Sequence, residues 1–368
     1  MSRLVAALAL LLLLAAAAVG CGSSGGGGGS EGGDASELNV LAWEGYAEPE
    51  WVEKFEEDSG VKVNVTYIGT TDELLAKLRG QGGSAYDVLA TEQAIGINDY
   101  AKQGLVVPMD ESKLELEGLA PAFQKKFTPA LFVDGKRYGV PFVWGGTTLG
   151  YNEEDFDSPP ESWSAVFEPE DDVCGKIIWS ADPEVMTATA ALYLGYERPF
   201  ALSEAQLAKV KEVLANARDC TVALYSGLGD AANFYASGDA VLGLNSGPLI
   251  TKQARDAGTP INETVPVEGA LHWVDSWAIT PAGAEKGDLP YEWINYEISP
   301  EVQAQVVAAT SFGPVVTGIA DKVDPEIAEI LHLDDPSYLE GFVPYEPYEE
   351  PDSRQKHIDV FNSVRAGS

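Results

Sequence analysis

The chain has 368 residues, of which 58 are Asp or Glu and 23 are Lys or Arg, so its formal net charge is −35. This charge argues against nucleic acid as a partner, because nucleic-acid binding requires a basic surface. We expect most of the acidic side chains on the solvated surface, and their summed field favours cationic ligands only weakly. The three histidines are scattered without metal-ligand spacing, and we predict neither a metal site nor a cofactor.

The N-terminal segment has the pattern of an export signal. Residues 4–20 carry no charge, and the small residues Ala18, Val19 and Gly20 precede Cys21. This arrangement resembles a bacterial lipoprotein signal. We therefore expect a signal peptide over residues 1–21 with Cys21 lipidated. The alternative is a membrane-anchored helix with an incidental cysteine, but the apolar run stops at the small-residue site.

A Gly/Ser-rich stretch over residues 22–36 follows, and it predicts a flexible tether. The folded part of the chain is then held outside the cytoplasm by its lipid anchor alone. Cys174 and Cys220 remain as an even pair in this oxidising compartment, so we expect a disulfide between them. Two buried free thiols are the alternative.

The first part of the folded chain alternates strands with helices. The pattern predicts strands at 38–42, 61–67 and 86–90 and helices from Pro49 to Ser59, from the capping box at residues 70–73 to Gly80, and from Ile97 to Gln103. This order is typical of a doubly wound α/β sheet, in which ligands bind at the carboxyl ends of strands. Trp43 and Tyr46 follow the first strand and Glu92 follows the third, so these side chains are site candidates.

A Gly145-Gly146 pair interrupts the next strand pattern, residues 138–152. A strand broken by glycines suits a hinge between two lobes. A second α/β lobe follows, with predicted strands at 177–180, Tyr225 and 241–244 and helices at 182–193, 203–218, 232–236 and 249–256. The chain then returns through a strand at 273–279, helices at 288–297 and 299–310, a turn at 312–315 and a final helix at 353–364.

The returning strand carries an indole and a carboxylate close together. Strand alternation places Trp273 and Asp275 on one face, while His272 lies on the other and is interpreted as structural or as a lobe-edge residue. Indole faces attract cations and carboxylates pair with them, so this spacing indicates a cation site. The alternative is a core tryptophan with an aspartate that caps a nearby turn.

Five stretches in this order resemble one family. They are Trp43-Glu44-Gly45-Tyr46, Ala85-Tyr86-Asp87-Val88, residues 140–145, residues 257–261 and Trp273-Val274-Asp275-Ser276. Over nearly all of residues 37–368 the chain is similar to bacterial extracellular spermidine/putrescine-binding proteins, the solute-capturing components of ABC importers.

The resemblance implies a type II periplasmic-binding-protein fold, in which two lobes with mixed sheets and flanking helices are joined by crossover hinge strands. We expect lobe 1 to comprise residues 37–143 and 274–318, and lobe 2 to comprise residues 147–271 and 323–368. The resemblance also implies a monomer that captures a polyamine between the lobes and delivers it to an ABC permease in the membrane.

The family's aromatic box and carboxylates carry over to seven positions of this sequence, with Glu184 one residue out of register: Trp43, Tyr46, Asp182, Glu184, Trp273, Asp275 and Phe312. Phe312 keeps the ring of a family tyrosine without its hydroxyl, and the chain departs further from the family pattern at three places. Glu92 replaces a serine, Ala94 replaces an aromatic residue, and Asn245 with Ser246 replaces a second-lobe tryptophan. The predicted box has therefore lost two rings and gained a carboxylate.

Three other functions are compatible with parts of the pattern. The solute could be another organic cation, an amino acid derivative or a sugar. Two carboxylates in an aromatic cleft could hydrolyse glycosides, but the chain has no motif of a catalytic nucleophile, phosphate loop or metalloprotease, and we predict no enzyme. A sensor or adhesion lipoprotein that keeps the fold without transport is the third alternative.

Overall fold

A computed structural model describes residues 37–80, 84–92, 96–124, 126–335, 337–348, 350 and 352–367. The predictions for the signal peptide, Cys21, the tether and Ala94 lie outside these residues. None of the helices in the described ranges has the length and apolar character that crossing a membrane demands.

Thirteen strands are found in the described ranges: β1 (Glu37–Trp43), β2 (Lys62–Ile68), β3 (Val88–Glu92), β4 (Phe132–Val133), β5 (Lys136–Arg137), β6 (Val140–Asn152), β7 (Ile177–Ser180), β8 (Thr221–Tyr225), β9 (Leu242–Asn245), β10 (Ile261–Thr264), β11 (Ala270–Ile279), β12 (Gly313–Pro314) and β13 (Phe342–Pro344).

The α-helices of the described ranges are α1 (Pro49–Ser59), α2 (Thr71–Arg79), α3 (Asn98–Lys102), α4 (Pro121–Gln124), α5 (Ser164–Phe167), α6 (Pro183–Tyr193), α7 (Glu204–Ala217), α8 (Leu228–Ala236), α9 (Pro248–Asp256), α10 (Pro281–Ala284), α11 (Leu289–Glu297), α12 (Pro300–Thr310), α13 (Pro325–Ile330) and α14 (Ser353–Arg365).

The main sheet has the strand order β2-β1-β3-β11-β6-β9-β7-β8. β1 pairs in parallel with β2 and β3, and β7 pairs in parallel with β8 and β9. β11 and β6 run antiparallel in the middle. The first half of β6 pairs with β11 and its second half with β9 and β10, so this strand crosses from one half of the molecule to the other.

Two large hydrophobic cores lie on either side of this crossover. We call lobe 1 the part built around Trp51, Phe142, Trp277 and Trp293, and lobe 2 the part built around Trp163, Trp179, Phe200 and Phe361. Helices cover both halves of the sheet because their apolar stripes are buried against it. The predicted two-lobed α/β fold is confirmed, whereas the residue limits given for each lobe stay a prediction.

The Gly145-Gly146 pair does not break its strand. β6 continues through both glycines, and all but the last of its thirteen residues are buried. A Cβ atom on Gly145 would lie 2.2 Å from Cζ2 of Trp273, and one on Gly146 would lie 2.2 Å from Cε1 of Phe342. The predicted interruption is therefore wrong: the glycines make room for rings that arrive from distant parts of the chain.

Other local predictions have mixed outcomes. The predicted turn at residues 312–315 contains the short strand β12, which pairs with β6. Cys174 and Cys220 form a disulfide, with their Cα atoms 4.3 Å apart. His272 is fully buried between Phe127 and Trp144, whose rings stack on it, which agrees with its structural interpretation.

Candidate functional site

A cavity of about 970 Å³ lies between the lobes, beside the ends of β1, β2 and β3. Lobe 1 supplies most of its lining and lobe 2 supplies Leu228, the first residue of α8. The lining residues are Trp43, Glu44, Tyr46, Tyr67, Ile68, Gly69, Glu92, Leu228, Trp273, Asp275 and Phe312. Six of the nine predicted ligand-binding residues therefore meet in one cavity.

The first strand delivers two of these rings through a tight turn. Trp43 ends β1, and the next glycine, Gly45, adopts a left-handed conformation with φ of +85°. The Gly45 N–H donates to Glu48 Oε1 at 2.7 Å, which fixes the turn before α1. Tyr46 follows this turn, and its ring is buried edge-on against Phe142 at 5.3 Å between centroids.

Two of the three acidic residues that line the cavity lie opposite each other on neighbouring strands. β3 and β11 are antiparallel neighbours, and their register pairs Glu92 with Asp275. Directly paired residues on such strands project to the same face with Cβ atoms about 5 Å apart. Both side chains line the cavity, so acidic charge is concentrated at one position.

Asp275 is held in an unusual environment. It is 8 % exposed, and its Oδ2 accepts a hydrogen bond of 2.7 Å from the Tyr46 hydroxyl. Burial raises the pKa of Asp275 to about 6, while the hydrogen bond from Tyr46 opposes this rise. The same burial, together with the charge of Asp275, raises the pKa of Tyr46 well above its usual value. A carboxylate of this kind gains most from a cation that replaces its lost hydration.

Aromatic rings line the same cavity as the carboxylates. Trp273 lies directly across from Gly145 in the β11–β6 pairing, and its ring covers that glycine. The Phe312 ring stands edge-on to Trp273 at 5.0 Å and edge-on to Tyr46 at 6.4 Å. Rings around a buried carboxylate form a low-dielectric surface whose π faces attract an organic cation.

The other three predicted residues are not in the cavity lining. Asp182 caps the N-terminus of α6, where its Oδ1 accepts the N–H groups of Glu184 and Val185. Glu184 forms an ion pair with Arg354. Asn245 is fully buried within lobe 2, where it hydrogen-bonds to Tyr235 and Thr251.

Five lining residues were not predicted from the sequence: Glu44, Tyr67, Ile68, Gly69 and Leu228. Tyr67 and Ile68 end β2, so the rule that ligands bind at carboxyl ends of strands could have identified them. Tyr67 is held there by its hydroxyl, which donates to the Ala47 carbonyl at 2.7 Å. Leu228 carries no such signal, because its position depends on how lobe 2 packs against lobe 1.

A second cavity of about 730 Å³ adjoins the first and shares Glu44 and Phe312 with it. It is lined by residues of α1 and α12, and lobe 2 contributes Leu249. In the described ranges, no three His, Cys, Asp or Glu side chains are grouped so as to hold a metal ion. The arrangement therefore provides a place to bind a solute through acidic and aromatic groups.

Comparison with known proteins assigns the family. The model of a family described as bacterial extracellular solute-binding protein matches residues 50–333. The chain belongs to the bacterial extracellular solute-binding protein family. Among its relatives in this family, the spermidine/putrescine-binding periplasmic protein of Escherichia coli (strain K12) is 29 % identical over 304 residues, covering 80 % of this chain and 82 % of the relative. The family consists of solute-binding proteins of transporters and not of enzymes.

Solved structures share the fold of this solute-binding protein. The spermidine/putrescine ABC transporter substrate-binding protein PotD from Streptococcus pneumoniae has a TM-score of 0.76 at 20 % identity, with 90 % of this chain and 99 % of that chain covered. The TpPotD lipoprotein of Treponema pallidum has a TM-score of 0.72 at 19 % identity, with 89 % and 99 % covered. These similarities confirm the type II two-lobed architecture.

Proposed function

We propose that this protein captures a small organic cation of the polyamine class outside the cytoplasm and delivers it to an ABC importer. The observation that carries the proposal is the Asp275–Glu92 pair, two carboxylates in cross-strand register in a cavity walled by Trp43, Trp273 and Phe312. Asp275 is buried and has lost most of its hydration, and an ammonium group beside it would compensate that carboxylate. Contact with the indole faces adds up to about 2 kcal/mol when the cation is desolvated.

The similarity to named relatives supports the same class of solute. The Escherichia coli relative is named for spermidine and putrescine, and the Streptococcus pneumoniae neighbour carries the same solutes in its name. Spermidine and putrescine are flexible chains of methylene groups between ammonium groups. Such a chain suits a cavity in which rings contact the methylenes while carboxylates bind one end.

The N-terminal sequence is the basis for the proposed attachment of the protein to the membrane. Cys21 carries the lipid, residues 22–36 form the tether, and the protein acts as a monomer on the outer face of the membrane beside its permease. One structural neighbour, from Treponema pallidum, is named a lipoprotein. Lobe limits at residues 37–143 plus 274–318 and 147–271 plus 323–368 belong to the same proposal.

Isothermal titration calorimetry of the purified protein at pH 7.5 tests the proposal. We expect saturable binding of spermidine or putrescine, and its loss in the Asp275→Asn variant, which keeps the side-chain shape and an acceptor for Tyr46. Glucose serves as the neutral control and should give no heat of binding. Absence of binding to both amines at micromolar protein, or unchanged affinity in Asp275→Asn, would contradict the proposed function.

A further inference from the structure

Resting on the proposed function, we infer that the cleft selects a long amine over a short one, and that the ring of Tyr67 sets this preference. The solute is then a polyamine of the length of spermidine and not of putrescine. One ammonium group of the solute lies at Asp275, the methylene groups beyond it pack on the Tyr67 ring, and the far ammonium group lies beside Glu44. Neither Tyr67 nor Glu44 was among the predicted site residues.

The cavity extends across the ends of four neighbouring strands, in the order β2-β1-β3-β11. Asp275 lies on β11, opposite Glu92 at the end of β3. Glu44 follows the last residue of β1, and Tyr67 precedes the last residue of β2. All four side chains line the same cavity. The carboxylates and the ring therefore form a row that crosses the strands.

The spacing of the strands sets the length of this row. Neighbouring strands are separated by about 4.8 Å, so the ends of β11 and β1 are about 10 Å apart and those of β11 and β2 are about 14 Å apart. Putrescine is shorter than either distance even when it is fully extended. The terminal nitrogens of extended spermidine span about the first distance. A solute that is held at Asp275 and also reaches Glu44 must therefore be longer than putrescine.

Tyr67 stands at the end of a buried strand face. Alternation along β2 projects Val63, Val65 and Tyr67 to one side. Both valines pack in the core of lobe 1, whereas Tyr67 is 36 % exposed and lines the cavity. Aromatic side chains are typical of the lining of ligand sites. The ring of Tyr67 thus extends the aromatic surface of Trp43 toward the outer end of the cavity.

The Tyr67 ring is fixed at both ends before a solute arrives. Its backbone is paired with Ala42 of β1, and its hydroxyl donates to the Ala47 carbonyl at 2.7 Å. A side chain that is already held loses little conformational freedom when a ligand packs on it. Methylene groups that cover this ring gain from the burial of apolar surface.

The charges near the Tyr67 ring are acidic. Burial raises the pKa of Tyr67 to about 12, and the charges of Glu48 and Glu44 add to the rise, so both carboxylates lie near the ring. Glu48 Oε1 accepts the N–H of Gly45, whereas Glu44 lines both this cavity and the adjoining one. Glu44 is therefore the carboxylate placed to pair with an ammonium group beyond the ring.

Two diamines of equal charge and different length test the inference. The probes are putrescine and octamethylenediamine, whose ammonium groups are as far apart along the chain as the terminal ones of spermidine. Each is titrated calorimetrically into the purified protein at pH 7.5. We expect octamethylenediamine to bind at least fivefold more tightly than putrescine. Because both probes carry the same charge, the acidic field of the whole protein favours them alike.

Three substitutions assign the preference to particular groups. Tyr67→Ala removes the ring and Glu44→Gln removes the charge, and each should lower the ratio of the two affinities at least threefold through weaker binding of the longer diamine. Tyr67→Phe keeps the ring without the bond to Ala47 and should lower the ratio less than threefold. Val222→Ala, at an exposed side chain of lobe 2 outside this cavity lining, is the control and should leave the ratio unchanged.

A ratio below fivefold in the unmodified protein would overturn the inference, and so would a ratio that Tyr67→Ala or Glu44→Gln lowers less than threefold. A fall of threefold or more in Tyr67→Phe would overturn it too, because the effect would then belong to the hydroxyl and not to the ring. Each of these results would leave the proposed capture of amines standing. If neither diamine binds to the unmodified protein, the proposed function itself fails, and the inference fails with it. Circular dichroism of each variant verifies that the fold is retained.

Discussion

Asp275 lies directly opposite Glu92 on the neighbouring strand, and both side chains line the same interlobe cavity. Burial raises the pKa of Asp275 to about 6, so its ionised form is held in the empty cleft at a cost in free energy. The ligand-free protein therefore carries an unfavourable arrangement that a cationic solute would relieve. Such a site is expected to sacrifice stability in the absence of ligand for affinity in its presence.

The first prediction is that Asp275→Asn stabilises the ligand-free protein at neutral pH. The pKa of Asp275 is about 6 in the folded protein, whereas the ordinary pKa of an aspartate is 3.8. Between these values the folded state binds more protons than the unfolded state, so the stability contributed by Asp275 is full below pH 3.8 and is lost as pH rises through 6. The loss amounts to about 3 kcal/mol.

Urea denaturation measures this effect. We expect the free energy of unfolding of Asp275→Asn to exceed that of the unmodified protein by about 2–3 kcal/mol at pH 7.5. The difference should vanish near pH 3.5, where the carboxyl is already neutral. Glu285→Gln, an exposed substitution, is the control and should be neutral at both pH values. A variant that is less stable at pH 7.5 would show that ionised Asp275 is compensated in the empty cleft.

The second prediction concerns the pH dependence of affinity. Cation binding requires the ionised form of Asp275, whose pKa in the empty protein is about 6. Affinity for putrescine should be constant above pH 7 and fall below pH 6, toward a tenfold loss per pH unit. Calorimetry between pH 7.5 and 4.5 measures it, since both amines of putrescine stay protonated throughout. A putrescine affinity that does not change between pH 7.5 and 4.5 would show that binding does not require ionised Asp275.

The third prediction is that Gly145 positions the Trp273 ring. An alanine at Gly145 would bring its Cβ within 2.2 Å of Trp273 Cζ2 and 2.6 Å of Cε2, so the indole must move. We expect Gly145→Ala to weaken amine binding about tenfold, because displacement of one cation–π partner costs about 1–2 kcal/mol. Gly118→Ala, where a Cβ meets open space, is the matched control.

A double-mutant cycle separates positioning from general damage to the fold. In the Trp273→Phe background the smaller ring lacks the atoms that overlap, so Gly145→Ala should cost less than threefold in affinity. Equal losses in both backgrounds would mean that Gly145 acts on the fold and not through Trp273.

Alternation of strands and helices in the sequence predicted most of the architecture. The limits of α1 from Pro49 to Ser59 follow from a proline at the start and Ser59-Gly60 at the end, which are local signals. Residues on the ends of β1, β3 and β11 were likewise placed in the site by strand patterns and family resemblance. The convergence of Trp43, Glu92 and Asp275 in one cavity was therefore predictable before the structure was known.

Features made by distant parts of the chain were not predictable in this way. A pair of glycines within a strand pattern looks the same whether it interrupts the strand or leaves space for a neighbouring ring. At Gly145 and Gly146 that space is filled by the rings of Trp273 and Phe342. The engagement of Glu184 by Arg354 joins residues 170 positions apart. Sequence periodicity reports which face is buried, but it does not report the partner across the interface.

The fourth prediction concerns His272, which is fully buried with neither ring nitrogen hydrogen-bonded to any described residue. Its ring stacks on Phe127 at 4.1 Å, and burial lowers its pKa to about 3 from 6.5. Between pH 6.5 and pH 3, His272 is protonated in the unfolded state and neutral in the folded state. The contribution of His272 to stability is therefore full above pH 6.5 and lost as pH falls toward 3.

Replacing His272 by phenylalanine should remove this acid sensitivity. The new ring keeps the stacking on Phe127 and Trp144, so we expect little change in the free energy of unfolding at pH 7.5 and a gain of about 2 kcal/mol at pH 5. His357→Phe is the control, because both His357 ring nitrogens contact carbonyls, of Ser353 and Pro199, and its loss should destabilise at both pH values. Denaturation curves for His272→Phe that shift equally at pH 7.5 and pH 5 would show that His272 is not the group whose protonation limits acid stability.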